Sequence, residues 1–323
     1  MSVYYNSVDV NALNMLRTTF HNRPAMQLEN ASVRVTVMVQ GGHIAEILDK
    51  STGVNPLWVP PWTDEEDVDF GDNAESRLLR GIMGHNLCLD LFGPPSEAEA
   101  AAGVVAHAEG GVVEYMFEAA GGGLVCACGL PSSQLGFARC ILLDGNKVMI
   151  EETVQNHAAF DRPIAWTQHV TLGPPFLERG VTTFRAPISQ SLGINGSEPQ
   201  TLDVYTSEAS SSGYTAHLLD PESEMAWFVT KSPRLRVQFG YFWERGDFPW
   251  LGVWEENHSR THSPWNGRTM TRGMEFGVSP FPETRRQMIE RGTLFDTPCY
   301  RWIEARGELT VRYHAAIGRT GAV

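Results

Sequence analysis

The sequence predicts an all-β protein, a large antiparallel β-sandwich with a few short helices. Three observations carry that expectation. Short runs alternate apolar and polar residues with period two, and clusters of Gly, Asn and Asp punctuate them. No βαβ alternation is present, which removes parallel architectures. The nucleotide-binding and nucleophile-elbow patterns G-x-G-x-x-G, G-x-x-x-x-G-K-[ST] and G-x-S-x-G are also missing.

Taken in order, a first helix is expected near residues 9–18. Residues 31–39 then set Val33, Val35, Val37 and Val39 on one strand face, with Ser32, Arg34 and Thr36 opposite. Gly41-Gly42 turns the chain into a second strand, His43 to Asp49, closed by a turn at residues 50–53. Ser96-Glu-Ala-Glu99 is a capping box that opens a short helix, and Gly103 stops it. Further strands are read at 112–118, 123–128, 137–143, 147–155, 164–172, 225–231, 234–243 and 308–315. Asp144-Gly145-Asn146 joins two of them as a hairpin, because Gly tolerates positive φ. Residues 282–292 begin in Pro and end in Gly, the asymmetry of a short helix. The stretch 207–213 is poor enough to be a hairpin loop. With no linker and no repeat, residues 1–323 read as a single sandwich domain.

Composition bounds the function. Lys plus Arg number 25 against 38 Asp plus Glu, a net charge of −13, with 42% hydrophobic residues. Such a chain is globular, and its acidity argues against nucleic acid or an anionic membrane as partner. No apolar run reaches the ~18 residues of a membrane span, and the first twenty residues contain no signal-peptide core. Five cysteines occur without a C-x-x-C pair, and Cys126 and Cys128 alternate on one strand face as packing residues. A cytoplasmic protein with reduced thiols is expected. The sequons at Asn30, Asn195 and Asn257 are then incidental.

Three segments hold candidate chemistry. In residues 164–172, Trp166, Gln168, Val170 and Leu172 share one face, and Thr167, His169 and Thr171 share the other. A polar stripe centred on an imidazole fits either a cleft wall or a solvated sheet face, and spacing does not separate the two. In residues 270–277, Glu275 points away from Met274 and Phe276, toward solvent or into a cleft where it would act as a base. His107 and Glu109 sit among Gly and Ala, which leaves room for a ligand or marks a turn. The His258-x-x-x-His262 spacing would suit a metal on a helix, but the surrounding Asn, Ser and Pro read as loop. His85, Cys88 and Asp90 read as an ordinary strand because Leu87, Leu89 and Leu91 alternate with them. No metal and no cofactor is expected.

Two stretches carry a resemblance. Val33–Val39, the run Gly41-Gly-His-Ile-Ala-Glu-Ile-Leu-Asp-Lys50 and the run Thr52-Gly-Val-Asn-Pro-Leu-Trp58 look like the opening of the galactose mutarotase-like superfamily, which includes the aldose 1-epimerases. Glu151-Glu-Thr-Val-Gln-Asn156, Arg162-Pro163 and Trp166-Thr-Gln-His169 resemble the family stretch whose Thr-Asn-His strand supplies the catalytic acid. The resemblance spans most of the chain and implies His169 as the proton donor to the ring oxygen. It implies Glu275, in Gly-Met-Glu-Phe with Pro280-Phe-Pro282 downstream, as the base. His107 matches the family's other active-site histidine, with Ala108 where Gly usually follows, and Arg80 is the candidate for its substrate-holding arginine. Gln168 stands in the altered signature Thr167-Gln-His-Val-Thr-Leu172 and is placed among the substrate contacts. The family's substrate-binding aspartate has two candidates, Asp220 and Asp247. An indole under the apolar face of a sugar would help orient it. Trp254, with Glu255 accepting hydroxyl protons, is the choice among Trp243, Trp250, Trp254 and Trp265, at least half of which belong to a core.

The resemblance implies an aldose 1-epimerase-like isomerase. Its base takes the anomeric proton while its acid protonates the ring oxygen, from opposite sides of the pyranose, with a small-molecule carbohydrate as partner. The net charge favours a neutral sugar over a phosphosugar, unless Arg234, Arg236 and Arg245 form a local cluster. A carbohydrate-binding protein without turnover is the alternative, and a polysaccharide lyase or hydrolase rests on fold analogy alone. The enzymatic reading requires His107, His169 and Glu275 to converge on one cleft.

Overall fold

The computed structural model describes residues 14–200, 202–206 and 208–320. The amino-terminal strands are β1 (Asn14–Phe20), β2 (Arg23–Glu29), β3 (Val33–Met38) and β4 (Ile44–Asp49). Helix α1 (Ser76–Leu79), β5 (His85–Asp90) and α2 (Glu97–Ala101) come next in the chain. The central strands are β6 (Met116–Ala120), β7 (Gly123–Leu130), β8 (Leu135–Asp144), β9 (Lys147–Asn156) and β10 (Arg162–Leu172). After them lie β11 (Thr183–Arg185), β12 (Ile188–Gly193), β13 (Ser211–Leu219), β14 (Met225–Ser232), β15 (Val237–Glu244), β16 (Trp250–Asn257) and β17 (Met270–Gly277). Helix α3 (Arg285–Arg291), β18 (Thr293–Leu294), β19 (Thr297–Pro298), β20 (Arg301–Ile303) and β21 (Glu308–Arg319) close the order.

Two sheets form the sandwich. One has 11 strands in the order β1-β2-β3-β4-β5-β10-β17-β16-β13-β12, with β20 added to β10. The other has 8 strands in the order β11-β14-β15-β21-β9-β8-β7-β6. The core between them draws side chains from Leu28 to Ile317. Val33, Val35 and Val37 are fully buried in it, as their alternation requires. On the opposite face of β3, Thr36 and Arg34 both donate to the Glu46 carboxylate. The hairpin of β8 and β9 closes with Asp144 opposite Lys147 and Gly145 at φ 56°. Among the described residues no helix is long and apolar enough to cross a membrane.

Helix α2 carries the capping box expected of it, with Ser96 and Glu99 bonded reciprocally. Helix α3 starts later than the Pro282 signal suggests: Thr284 caps it through a second capping box with Gln287. The helix expected near residues 9–18 is corrected for its second half. Residues 14–18 are strand because they pair along β2, and long-range pairing outweighs local propensity. Residues 9–13 lie outside the described residues.

A buried polar network joins the sheets at β10. Arg139 Nε donates to Glu152 Oε1 at 2.7 Å, with both side chains fully buried. Glu152 also accepts from Tyr313 Oη (2.7 Å), Trp166 Nε1 (3.2 Å) and Gln168 Nε2 (2.5 Å). His85 Nε2 lies 2.8 Å from Gln168 Oε1 and completes it. These bonds hold one parity of β10, Trp166 and Gln168, against the second sheet. The other parity, Thr167, His169 and Thr171, is thereby turned to the outer face of the 11-stranded sheet.

Candidate active site

β10 and β17 are neighbours, and their register sets His169 directly opposite Glu275. His169 Nε2 stands 3.0 Å from Glu275 Oε1, and Thr171 Oγ1 lies 3.0 Å from the other ring nitrogen. The Glu275 approach is an ion-pair contact rather than an aligned hydrogen bond, so Oε1 keeps acceptor capacity. Glycines on both sides make room for the carboxylate. A Cβ at Gly273 would lie 2.5 Å from Glu275 Oε1, and one at Gly252 would strike the Tyr214 phenol, which donates to Pro280 O at 3.0 Å.

His107 arrives from a different part of the chain. Its backbone N–H donates to Gly93 O at 2.9 Å, and both His107 and Ala108 take positive φ, 61° and 63°. The ring lies 5.6 Å from the His169 ring, edge to face. Burial, then the neighbouring His169 and Arg260, depress its pKa to about 3, so it is neutral at physiological pH. Cys88 Sγ sits 3.3 Å from His107 Nδ1. Burial and the Glu275 carboxylate hold that thiol well above its ordinary pKa. Asn86 Nδ2 lies 3.9 Å from the same sulfur. A protonated thiol that donates to Nδ1 leaves the imidazole hydrogen on Nε2.

These groups line a cleft of about 480 Å³ whose walls include Trp58, Trp254, Trp265, Tyr214, Arg260 and Glu75. The Trp254 ring lies 5.7 Å from that of His169. Behind it Trp58, Trp62 and Trp265 pack together, and the Trp62 indole donates to Leu79 O. Trp243 and Trp250 are core, as expected of half the tryptophans.

His107, His169, Glu275 and Trp254 therefore meet in one cleft, and three other expected residues do not. Gln168 faces the inter-sheet core, where the network with Glu152 and His85 occupies its amide. Strand parity opposite to His169 puts it there. Glu255 likewise points inward, opposite to Trp254. Arg272 Nε donates to it at 2.5 Å, with the guanidinium over Phe184 and Tyr205. Arg80 follows α1 and is exposed, its guanidinium 4.9 Å from the Phe70 ring, away from the cleft lining. The arginine that does line the cleft is Arg260, from the His258-x-x-x-His262 loop. Its one signal in the sequence is the polar, Pro-bounded loop in which it lies. His258 Nδ1 is 2.7 Å from Gly267 O in that loop.

Neither aspartate candidate lines the cleft: Asp247 pairs with Arg301, and Asp220 accepts from Glu222 N in a turn. Glu109 accepts from Ser133 instead. Arg234 pairs with Glu178, Arg245 turns toward Leu219 O, and with Arg236 they lie outside the cleft lining. His169 and Glu275, expected on opposite sides of a pyranose, stand side by side on neighbouring strands.

No protein-family model and no curated protein sequence matches the chain. Solved structures do. A Klebsiella pneumoniae subsp. pneumoniae protein provisionally named an aldose 1-epimerase superposes with a TM-score of 0.72 at 14% identity, covering 95% of this chain and 84% of that one. A galactose mutarotase-like protein from Clostridium acetobutylicum gives 0.66 at 12%, covering 96% and 99%. A galactose mutarotase related enzyme from Lactobacillus acidophilus gives 0.62 at 10%, covering 92% and 98%. The chain has the galactose mutarotase-like fold.

Proposed function

We propose that this protein is an aldose 1-epimerase-like isomerase that opens and recloses the ring of a free aldose at its anomeric carbon. The observation that carries the reading is the His169–Glu275 pair, 3.0 Å apart at the base of an aromatic-walled cleft. The reaction involves two oxygens, the anomeric hydroxyl and the ring oxygen, and both are bonded to C1. An acid and a base that touch can therefore serve both at once. Glu275 takes the hydroxyl proton while His169 protonates the ring oxygen, the C1–O5 bond breaks, and the aldehyde forms. Rotation about C1–C2 and return of both protons give the other anomer. The chemistry calls for no metal and no redox step.

His107, neutral and with its hydrogen on Nε2, offers a fixed donor to the oxygen that gains charge as the ring opens. Trp254 supplies an apolar face beside the acid. General acid–base catalysis contributes about 10²–10⁴-fold, and orientation by the cleft supplies the remainder.

His169→Gln and Glu275→Gln test the reading against the alternative of a carbohydrate-binding protein without turnover. Each variant is expected to lose at least about 10²-fold in mutarotation rate while sugar binding, read by calorimetry, persists. Wild-type protein that binds sugars and accelerates the mutarotation of none across a broad panel of aldoses sinks the isomerase and leaves the binder.

A further inference from the structure

Strand β5 lays a polar stripe beneath the cleft. Asn86, Cys88 and Asp90 share one of its parities, and the register sets Asn86 opposite His169 and Cys88 opposite Thr167 on β10. Leu87 and Leu89, of the other parity, belong to the core between the sheets. Cys88 is a free thiol, fully buried, in a cluster with Phe92, Ala165 and Phe281, whose side chains accept no hydrogen bond. Among the described residues its sulfur meets two polar side-chain atoms. His107 Nδ1 stands at 3.3 Å, and Asn86 Nδ2 donates to the sulfur at 3.9 Å. The Thr167 hydroxyl across the strand makes no bond to it.

The hydrogen balance of this contact has one satisfactory solution. Neutral His107 carries a hydrogen on one ring nitrogen and a lone pair on the other. Burial and Glu275 keep the thiol protonated. The Asn86 amide already supplies the sulfur with a donor, so an Nδ1–H aimed at the same atom would leave the thiol hydrogen among apolar side chains. Directing S–H to Nδ1 uses both groups and sends the imidazole hydrogen to Nε2. That nitrogen has no hydrogen-bond partner among the described residues and is not one of the polar atoms sealed from solvent. It sits on a half-buried ring that lines the cleft. The ring itself is held on several sides. Its backbone N–H bonds Gly93 O, the N–H of Ala106 bonds Ala74 O, and the Phe92 and His169 rings stand 5.7 and 5.6 Å away. A half-turn of the imidazole would put carbon over the sulfur and forfeit the bond.

Resting on the isomerase reading for the oxygen that His107 faces, we propose that Cys88 is a positioning residue whose thiol fixes His107 as a hydrogen-bond donor at Nε2. The cleft then meets the reacting oxygen with a hydrogen from His107 and never with a lone pair. Proton abstraction is left to Glu275 alone, and the two histidines cannot exchange roles.

The test records two-bond 1H–15N spectra of 15N-histidine-labelled protein at neutral pH, with His107 assigned through a His107→Gln variant. Wild type should show a pyridine-type Nδ1 and a pyrrole-type Nε2 for His107. Cys88→Ala and Cys88→Ser leave nearly the same cavity and differ by one O–H donor. The Ala variant should mix the two tautomers, and the Ser variant should hold the Nε2–H form. In mutarotation, Cys88→Ala is expected to lower kcat by about tenfold with KM within about threefold. That loss is smaller than the ~10²–10³ of deleting an oxyanion donor outright, because the correct tautomer is still sampled. Cys88→Ser should recover most of kcat, whereas a purely packing role would cost both variants alike. An Nδ1–H tautomer or an imidazolium in wild type overturns the proposal, whatever the stability of the variants. A tautomer that Cys88→Ala leaves unmoved also overturns it, as does a Ser variant indistinguishable from Ala. If the tautomer responds as expected but no sugar is turned over, the role of Cys88 stands and the isomerase reading falls.

Discussion

Gly273→Ala isolates the placement of Glu275 from the stability of the fold. The added Cβ would lie 2.5 Å from Glu275 Oε1, where ordinary contact begins at 3.4 Å, so that oxygen must move by about 0.9 Å. It is the oxygen that faces His169 Nε2 at 3.0 Å. The atom that yields is the far end of a flexible side chain, not backbone, so the sheet itself can stay in register. Replacing Gly by Ala also removes unfolded-state freedom, worth about 0.4–1 kcal/mol in the opposite direction. Stability should therefore change by less than about 1 kcal/mol. A displacement of this size at a reacting group costs on the order of 10²-fold in rate, or about 2.7 kcal/mol of transition-state stabilisation. The assay pairs polarimetric mutarotation on the best substrate with urea unfolding of the same preparation. A variant as stable as wild type that keeps kcat/KM within about threefold refutes the claim that catalysis depends on this carboxylate position.

Two further outcomes are expected. His43 and His107 are held at about pKa 3 and His217 at about 4, chiefly by burial, against 6.5 unperturbed. The folded state refuses protons that the unfolded chain binds, so stability is full above about pH 6.5 and drains as pH falls toward 4. At pH 5 each histidine accounts for about 2 kcal/mol. Asp90 and Asp247, whose pKa values burial raises, offset part of the loss. Tm measured from pH 7.5 to 5 should fall steeply, and His217→Gln should flatten the slope; a Tm independent of pH over that range contradicts the burial argument. Separately, Ala108 holds φ 63°, ψ −176°, a region almost reserved for Gly at a cost of about 1–3 kcal/mol. Ala108→Gly should stabilise by about 1 kcal/mol in chemical unfolding after the glycine's own entropy is counted, and a loss of stability would show that the strain is relieved elsewhere.

The parity of β3, β8, β9 and β10 was legible in the sequence, because alternation is a local property, whereas β1, β2, β13 and β16 were not read as strands. That is why His169 and Glu275 could each be assigned to a polar face, and why Asp144-Gly145-Asn146 and the Ser96 capping box mark their turns and caps. Parity does not say which face meets a second layer. Only the Arg139–Glu152–Gln168 network, built from β8, β9 and β10, turns Gln168 inward and His169 outward. The same blindness assigned Glu255 to the cleft, whereas Arg272 on the neighbouring strand draws it into the interior. Arg80 and Arg260 could not be ranked either, since the loops that bring Trp58, Trp62 and Trp265 into one cluster are some 200 residues apart in the chain. By itself the sequence determined an antiparallel sandwich and set His169 and Glu275 each on a polar strand face. The tertiary structure decided that the two faces are neighbours, that they line a cleft, and that Arg260 and Glu75 line it with them. Those outcomes depend on long-range register, which no local pattern encodes.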